Sequence, residues 1–135
     1  MAGYSGTPLI RKLGVKPGAL VQAIGAPEHY WDLLGPLPSG VRVVAANAQS
    51  ADFVHLFVKR QAALAGRLTK LRKRIAPAGM IWVSWPKKTS KVATDVTGDT
   101  VRAEALRSGL VDVKVCAVDE IWSGLKLVIR MRDRG

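Results

Sequence analysis

Gly79-Met80-Ile81-Trp82-Val83-Ser84-Trp85, followed at once by Pro86-Lys87-Lys88-Thr89-Ser90, is the stretch on which the reading of this chain turns. Seven mostly bulky, uncharged residues lie between the Pro77-Ala78-Gly79 turn and Pro86. Such a run, without polar alternation, marks a strand buried on both faces, and both faces are buried when helices cover a parallel sheet. The stretch therefore predicts the centre of the sheet. The cationic, hydroxyl-bearing loop that leaves it falls at the carboxyl ends of the strands, where open α/β folds place their ligands.

Upstream, Asp52-Phe53-Val54-His55-Leu56-Phe57-Val58 reads as a second central strand for the same reason. Between the two, apolar Leu64, Leu68, Leu71 and Ile75 recur at helical spacing and predict one amphipathic helix from Gln61 to Ile75. Its other positions carry Arg67, Lys70, Arg72, Lys73 and Arg74. Further upstream, Thr7 to Gly14 reads as a short helix covering an edge of the sheet, with Thr7 as cap. Ala19 to Ile24 follows as a strand, Glu28 to Leu34 as a helix and Val41 to Ala46 as a strand. Downstream, Thr97 caps a helix carrying Val101, Ala105 and Leu106 and closed by Gly109.

Val111 to Val118 and Leu125 to Arg130 are separated only by Asp119-Glu120-Ile121-Trp122-Ser123-Gly124. Six residues cannot hold a helical crossover, so the two strands must pair as an antiparallel hairpin. Right-handed crossovers then predict six strands in the order 2-1-3-4-6-5 with only the last antiparallel, in a three-layer α/β domain spanning residues 1–135.

At 135 residues and 48% hydrophobic composition the chain has material for one core. No run approaches the ~20 apolar residues that span a bilayer, and the first residues lack a basic start followed by an apolar stretch. A cytoplasmic protein without membrane contact is expected. One cysteine, Cys116, excludes an internal disulfide and a cysteine-based metal cluster. The formal charge of +11 favours polyanionic partners in general and also serves solubility.

The order of elements resembles the class I methyltransferase form of the Rossmann fold, whose last antiparallel strand inserts beside the central one. The likeness is carried by Ala51-Asp52-Phe53-Val54 through Leu71 and Ile75 to Pro77-Ala78-Gly79 and Met80-Ile81-Trp82-Val83. Trp85 to Ser90, Ala93-Thr94-Asp95 and Lys114 to Leu125 are in turn similar to the signatures of a family of small bacterial proteins of unknown function with that fold. The resemblance implies the fold and, since that family has no assigned activity, no reaction. The methyltransferases follow their first strand with a glycine-rich turn and end their second on an acid that holds ribose. Here the turn is Gly25-Ala26-Pro27 and the second strand ends in Ala45-Ala46-Asn47, without a carboxylate. Both departures speak against S-adenosylmethionine, and against a dinucleotide. No cofactor is expected.

Lys87, Lys88, Thr89 and Ser90 supply cations and hydroxyls that could hold a phosphate or carboxylate, although the glycines of a Walker loop are missing. Asp95, Asp119 and Glu120 stand in neighbouring loops, Gly25 at the end of the first strand, and Trp122 offers a ring for a planar ligand or an anchor for the hairpin. His29 and His55 have no metal-ligand partner at useful spacing, and His55, mid-strand, reads as a hydrogen-bonded core residue. No Ser, His and acid form a known nucleophilic motif. Three readings follow: a non-catalytic module binding an anionic or nucleotide-like ligand or a protein partner, an enzyme of unassigned reaction using Lys87, Lys88 and Asp119, or a weak, sequence-independent nucleic-acid binder using Arg67, Lys70, Arg72, Lys73 and Arg74.

Overall fold

The computed structural model describes residues 7–45 and 48–134. Their core is a six-stranded sheet built from β1 (Leu20–Ile24), β2 (Arg42–Val43), β3 (Ala51–Phe57), β4 (Ile75–Pro86), β5 (Leu110–Ala117) and β6 (Trp122–Ile129). The spatial order is β2-β1-β3-β4-β6-β5. Pairings through β4 are parallel, and β6 runs antiparallel to both β4 and β5. The order and the single reversed strand are those the sequence predicts. β4 lies between β3 and β6, and Ile81, Trp82, Val83 and Ser84 have no exposed surface.

The pleat sends alternate side chains of β3 and β4 to opposite layers. Val54, Leu56, Ile81 and Val83 join Leu125 and Leu127 of β6 beneath three helices, α3 (Gln61–Leu64), α4 (Arg67–Arg74) and α5 (Gly98–Arg107). Phe53, Phe57, Trp82 and Trp122 face α1 (Leu9–Leu13) and α2 (Tyr30–Leu34). Full burial of a leucine such as Leu64, Leu68 or Leu125 contributes roughly 1.5–3 kcal/mol, so these two layers hold most of the driving force for folding.

Several expected boundaries move. Pro8, not Thr7, stands at the cap of α1, while Gly14 ends the helix at φ +87° as expected. The helix lies on a face of the sheet and not along its edge: Leu13 is fully buried and its carbonyl accepts the Trp82 indole N–H at 2.8 Å. The strand expected over 41–46 pairs only at Arg42 and Val43. Beyond it the chain crosses β1, held where the buried Gln22 Nε2 donates to the Ala45 carbonyl at 2.7 Å and the Ser50 N–H donates to Arg74 O. Ala46 and Asn47, the end of the expected strand, lie outside the described residues.

The single helix expected over 61–75 is two. Ala65 leaves helical geometry at ψ 128° and Gly66 takes φ +79°, a left-handed value that glycine adopts without strain. The break allows Leu64 of α3 and Leu68 and Leu71 of α4 all to reach the core, and Ile75 already belongs to β4. In α5 the Thr97 hydroxyl accepts from the Thr100 N–H while the Thr100 hydroxyl accepts from the Thr97 N–H. This reciprocal cap contributes about 1 kcal/mol. Val101 and Ala105 of that helix are buried, whereas Leu106, read as a core position, is 60% exposed.

Candidate functional site

The carboxyl ends of β1, β3 and β4 share one edge of the sheet with the start of β6. β1 approaches β3 so closely that a Cβ on Gly25 would lie 2.9 Å from the Phe57 carbonyl oxygen, and Gly25 sits at φ +68°. Only glycine fits there. The loop after β4 is fixed to the hairpin turn by the Lys87 N–H, which donates to Ile121 O at 2.7 Å. Lys88–Ser90 then form one 3-10 turn. Ser90 serves that turn itself: its hydroxyl donates to Lys87 O at 2.6 Å and accepts from Val92 N–H at 3.2 Å. Lys88 and Thr89 are exposed.

Two acids of this edge, Asp95 and Asp119, are already engaged. Asp119 Oδ1 accepts from the N–H groups of Ile121 and Trp122, both at 2.8 Å, which closes the hairpin turn. Its Oδ2 lies 3.3 Å from His29 Nε2, tying the start of α2 to that turn. Asp95 Oδ1 accepts from the Gln61 N–H at 2.8 Å and so caps α3 from 34 residues away. Thr94 Oγ1 donates to Lys59 O at 2.7 Å, which pins the same segment to the end of β3. Glu120 is exposed. Trp122 is not a platform for a planar ligand: it is 7% exposed and its ring meets Phe57 edge-on at 5.0 Å.

The cations are differently placed. Residues 53–94 hold ten Lys and Arg and no acid, so the rest of the chain, with eleven cations and ten acids, is nearly neutral. Within that segment Lys59 and Arg60 follow β3, while Lys87, Lys88 and Lys91 follow β4. Among the described residues none of these five belongs to an ion pair; those found join His29–Asp119, Arg102–Asp99, Arg102–Asp112 and Arg107–Glu104. Lys59 and Arg60, at the carboxyl edge of the strands, were not singled out in the sequence, although the acid-free stretch containing them is visible there.

The basic helix divides by face. Arg72 turns toward α5, its Nε donating to Gly109 O at 3.4 Å. Arg67, Lys70 and Arg74, three and four residues apart, line a cleft with Ile24.

A histidine and a serine do meet, but inside the protein. Tyr30 Oη lies 2.8 Å from His55 Nδ1 and Ser84 Oγ lies 2.7 Å from His55 Nε2, with all three residues fully buried. Phe57 stacks on the imidazole at 4.2 Å. In either tautomer each ring nitrogen has a partner, and the hydroxyl protons simply run in the opposite sense. Desolvation lowers the His55 pKa to about 3 and raises that of the Tyr30 phenol, so the chain of three is uncharged at neutral pH. No substrate reaches Ser84.

No protein-family model and no curated protein matches this sequence. Solved structures do match, at low identity. A candidate exported protein of Bordetella parapertussis aligns with TM-score 0.65 and 12% identity over 90% of this chain, which spans only 65% of the length of that protein. An S-adenosylmethionine-dependent methyltransferase from Aquifex aeolicus aligns with TM-score 0.58 and 12% identity, over 90% of this chain and 88% of that one. The ribosomal protein L11 methylase of Lactobacillus delbrueckii subsp. bulgaricus gives TM-score 0.55 and 12% identity, over 90% and 74% of the respective chains. The likeness is one of architecture, and it establishes that this chain has the Rossmann-like fold of the class I methyltransferases.

Proposed function

We propose that the chain is a non-catalytic module that binds a small anionic ligand, a carboxylate or phosphate, at the carboxyl edge of its strands. The observation that carries this reading is the division of labour among charges at that edge. Asp95 and Asp119 are turned onto N–H groups of their own loops, while Lys59, Arg60, Lys87, Lys88 and Lys91 are left without counter-ions among the described residues. Loops fixed by Lys87 N–H to Ile121 O and by Thr94 to Lys59 leave little backbone entropy to lose on binding. Lys87, Lys88 and the free Thr89 hydroxyl are the contacts we assign to the ligand, with Ser90 shaping the turn.

Absence of catalysis is supported from two sides. Gly25-Ala26-Pro27 and Ala45-Ala46-Asn47 lack the groups by which enzymes of this fold hold their methyl donor. The pairing of His55 with the hydroxyls of Ser84 and Tyr30 is sealed in the core. The test is a thermal-shift screen of anionic metabolites, since a ligand bound only by the native state raises its melting temperature. For the hit, the amide resonances of residues 87–91 should move, and Lys87→Ala/Lys88→Ala should abolish both the shift in melting temperature and those movements. Unchanged affinity in that variant would remove this edge as the site.

A further inference from the structure

The cleft between α3, α4 and the end of β1 is a separate place with its own chemistry. Its volume is about 460 Å³. Its small apolar floor is Ile24 with the exposed Ala63 and Ala65, and Arg67 and Lys70 of α4 line it as well. Gly66 breaks the helix there and separates α3 from α4.

We infer that this cleft binds a small phosphate ester with an apolar or flat body, of the size of a nucleoside diphosphate. Pockets for such ligands are of roughly 300–1,000 Å³ with a few convergent polar groups, and the volume of this cleft lies in that range. Arg67 and Lys70 lie one helical turn apart on the same face, so both reach a phosphate group, and neither has an ion-pair partner among the described residues. The alanines leave room for the body of the ligand. No Phe, Tyr or Trp lines the cleft, which speaks against a nucleic-acid strand held by base stacking. Glu and Asp are also missing from its lining, so nothing there repels a phosphate. The inference is independent of the loop at Lys87, and either site can fail alone.

ADP and inorganic pyrophosphate are the probes, followed by amide chemical-shift titration. ADP should move the resonances of residues 62–67 and bind more tightly than pyrophosphate, because the apolar floor engages only the nucleoside. Arg67→Gln/Lys70→Gln should weaken both probes by about tenfold or more. Ala63→Phe, a change at an exposed helix position, should block ADP by filling the floor, while melting temperature without ligand reports that each variant is folded. Lys87→Ala/Lys88→Ala should leave these titrations unchanged. Failure of ADP to perturb residues 62–67, equal affinity for ADP and pyrophosphate, or indifference to Arg67→Gln/Lys70→Gln would each overturn the assignment. So would a single-stranded oligonucleotide that binds this cleft far more tightly than ADP.

Discussion

Ser84→Ala deletes one oxygen from a place where nothing can replace it. His55 Nε2 then faces the cavity without a partner, 2.7 Å from where Ser84 Oγ stood, inside a layer with no exposed surface. A buried polar atom left unpaired costs about 1–3 kcal/mol. For a chain of this size each kcal/mol lowers the melting temperature by roughly 3–5 °C, so a loss of roughly 3–15 °C is expected in a thermal scan. Tyr30→Phe removes the partner of the other ring nitrogen and should cost a similar amount, with the double variant losing less than the sum because one imidazole mediates both. The same histidine makes stability depend on acid. Its pKa is about 3 in the folded protein against 6.5 when unfolded. Between those values the unfolded chain holds a proton that the folded one does not. The contribution is therefore complete above pH 6.5 and is lost as pH falls through that window, at about 1.4 kcal/mol per pH unit. Urea unfolding of wild type and His55→Gln from neutral pH down to mildly acid pH isolates this term, and the stability gap between them should narrow as pH falls. Parallel pH profiles, or a Ser84→Ala protein within about 0.5 kcal/mol of wild type, would refute the reasoning.

Gly25→Ala should destabilise the fold by roughly 1–3 kcal/mol, because its Cβ would meet Phe57 O at 2.9 Å with φ at +68°; unfolding in denaturant measures it, and a neutral substitution would show that β1 can withdraw from β3. Calorimetry with S-adenosylmethionine should show no useful binding, and a dissociation constant in the low micromolar range would instead favour an enzyme. Asp95→Ala should free the Gln61 N–H and fray α3 at a cost of about 1 kcal/mol, read by denaturation and by faster amide exchange at residues 61–64.

What the sequence made legible is what local physics decides. Unbroken apolar runs placed β3 and β4 at the centre, and a connection read as six residues, four in the structure, forced β6 to reverse. The turn residues around Gly14 and Thr97 marked helix ends because capping is a matter of neighbours. The division at Gly66 escaped because leucines at 64, 68 and 71 satisfy a continuous helix as well as a broken one, and only packing on a twisted sheet chooses between them. At the site, the position of the Lys87 loop followed from the strand that feeds it. The partners of its neighbours did not: Asp95 caps a helix 34 residues earlier, Asp119 meets His29 across 90 residues, and His55 meets Ser84 through the pairing of β3 with β4 and Tyr30 when α2 closes over the sheet. His55 could be read as a bonded core residue, yet no periodicity names its partners.

The position of β6 also orders the protein's birth. Leu125 and Leu127, fully buried between the sheet and its helices, are synthesised after every other strand, yet their strand belongs beside β4. While a ribosome adds the roughly 40 residues from the end of β4 to the end of β6, a matter of about 2–8 s, the edge of Met80–Pro86 that β6 pairs has no neighbour. For that interval the nascent chain presents an open, uncharged strand edge of the kind that pairs with other chains. Residues 53–94, with ten cations and no acid, give such half-made chains a like charge that opposes their association.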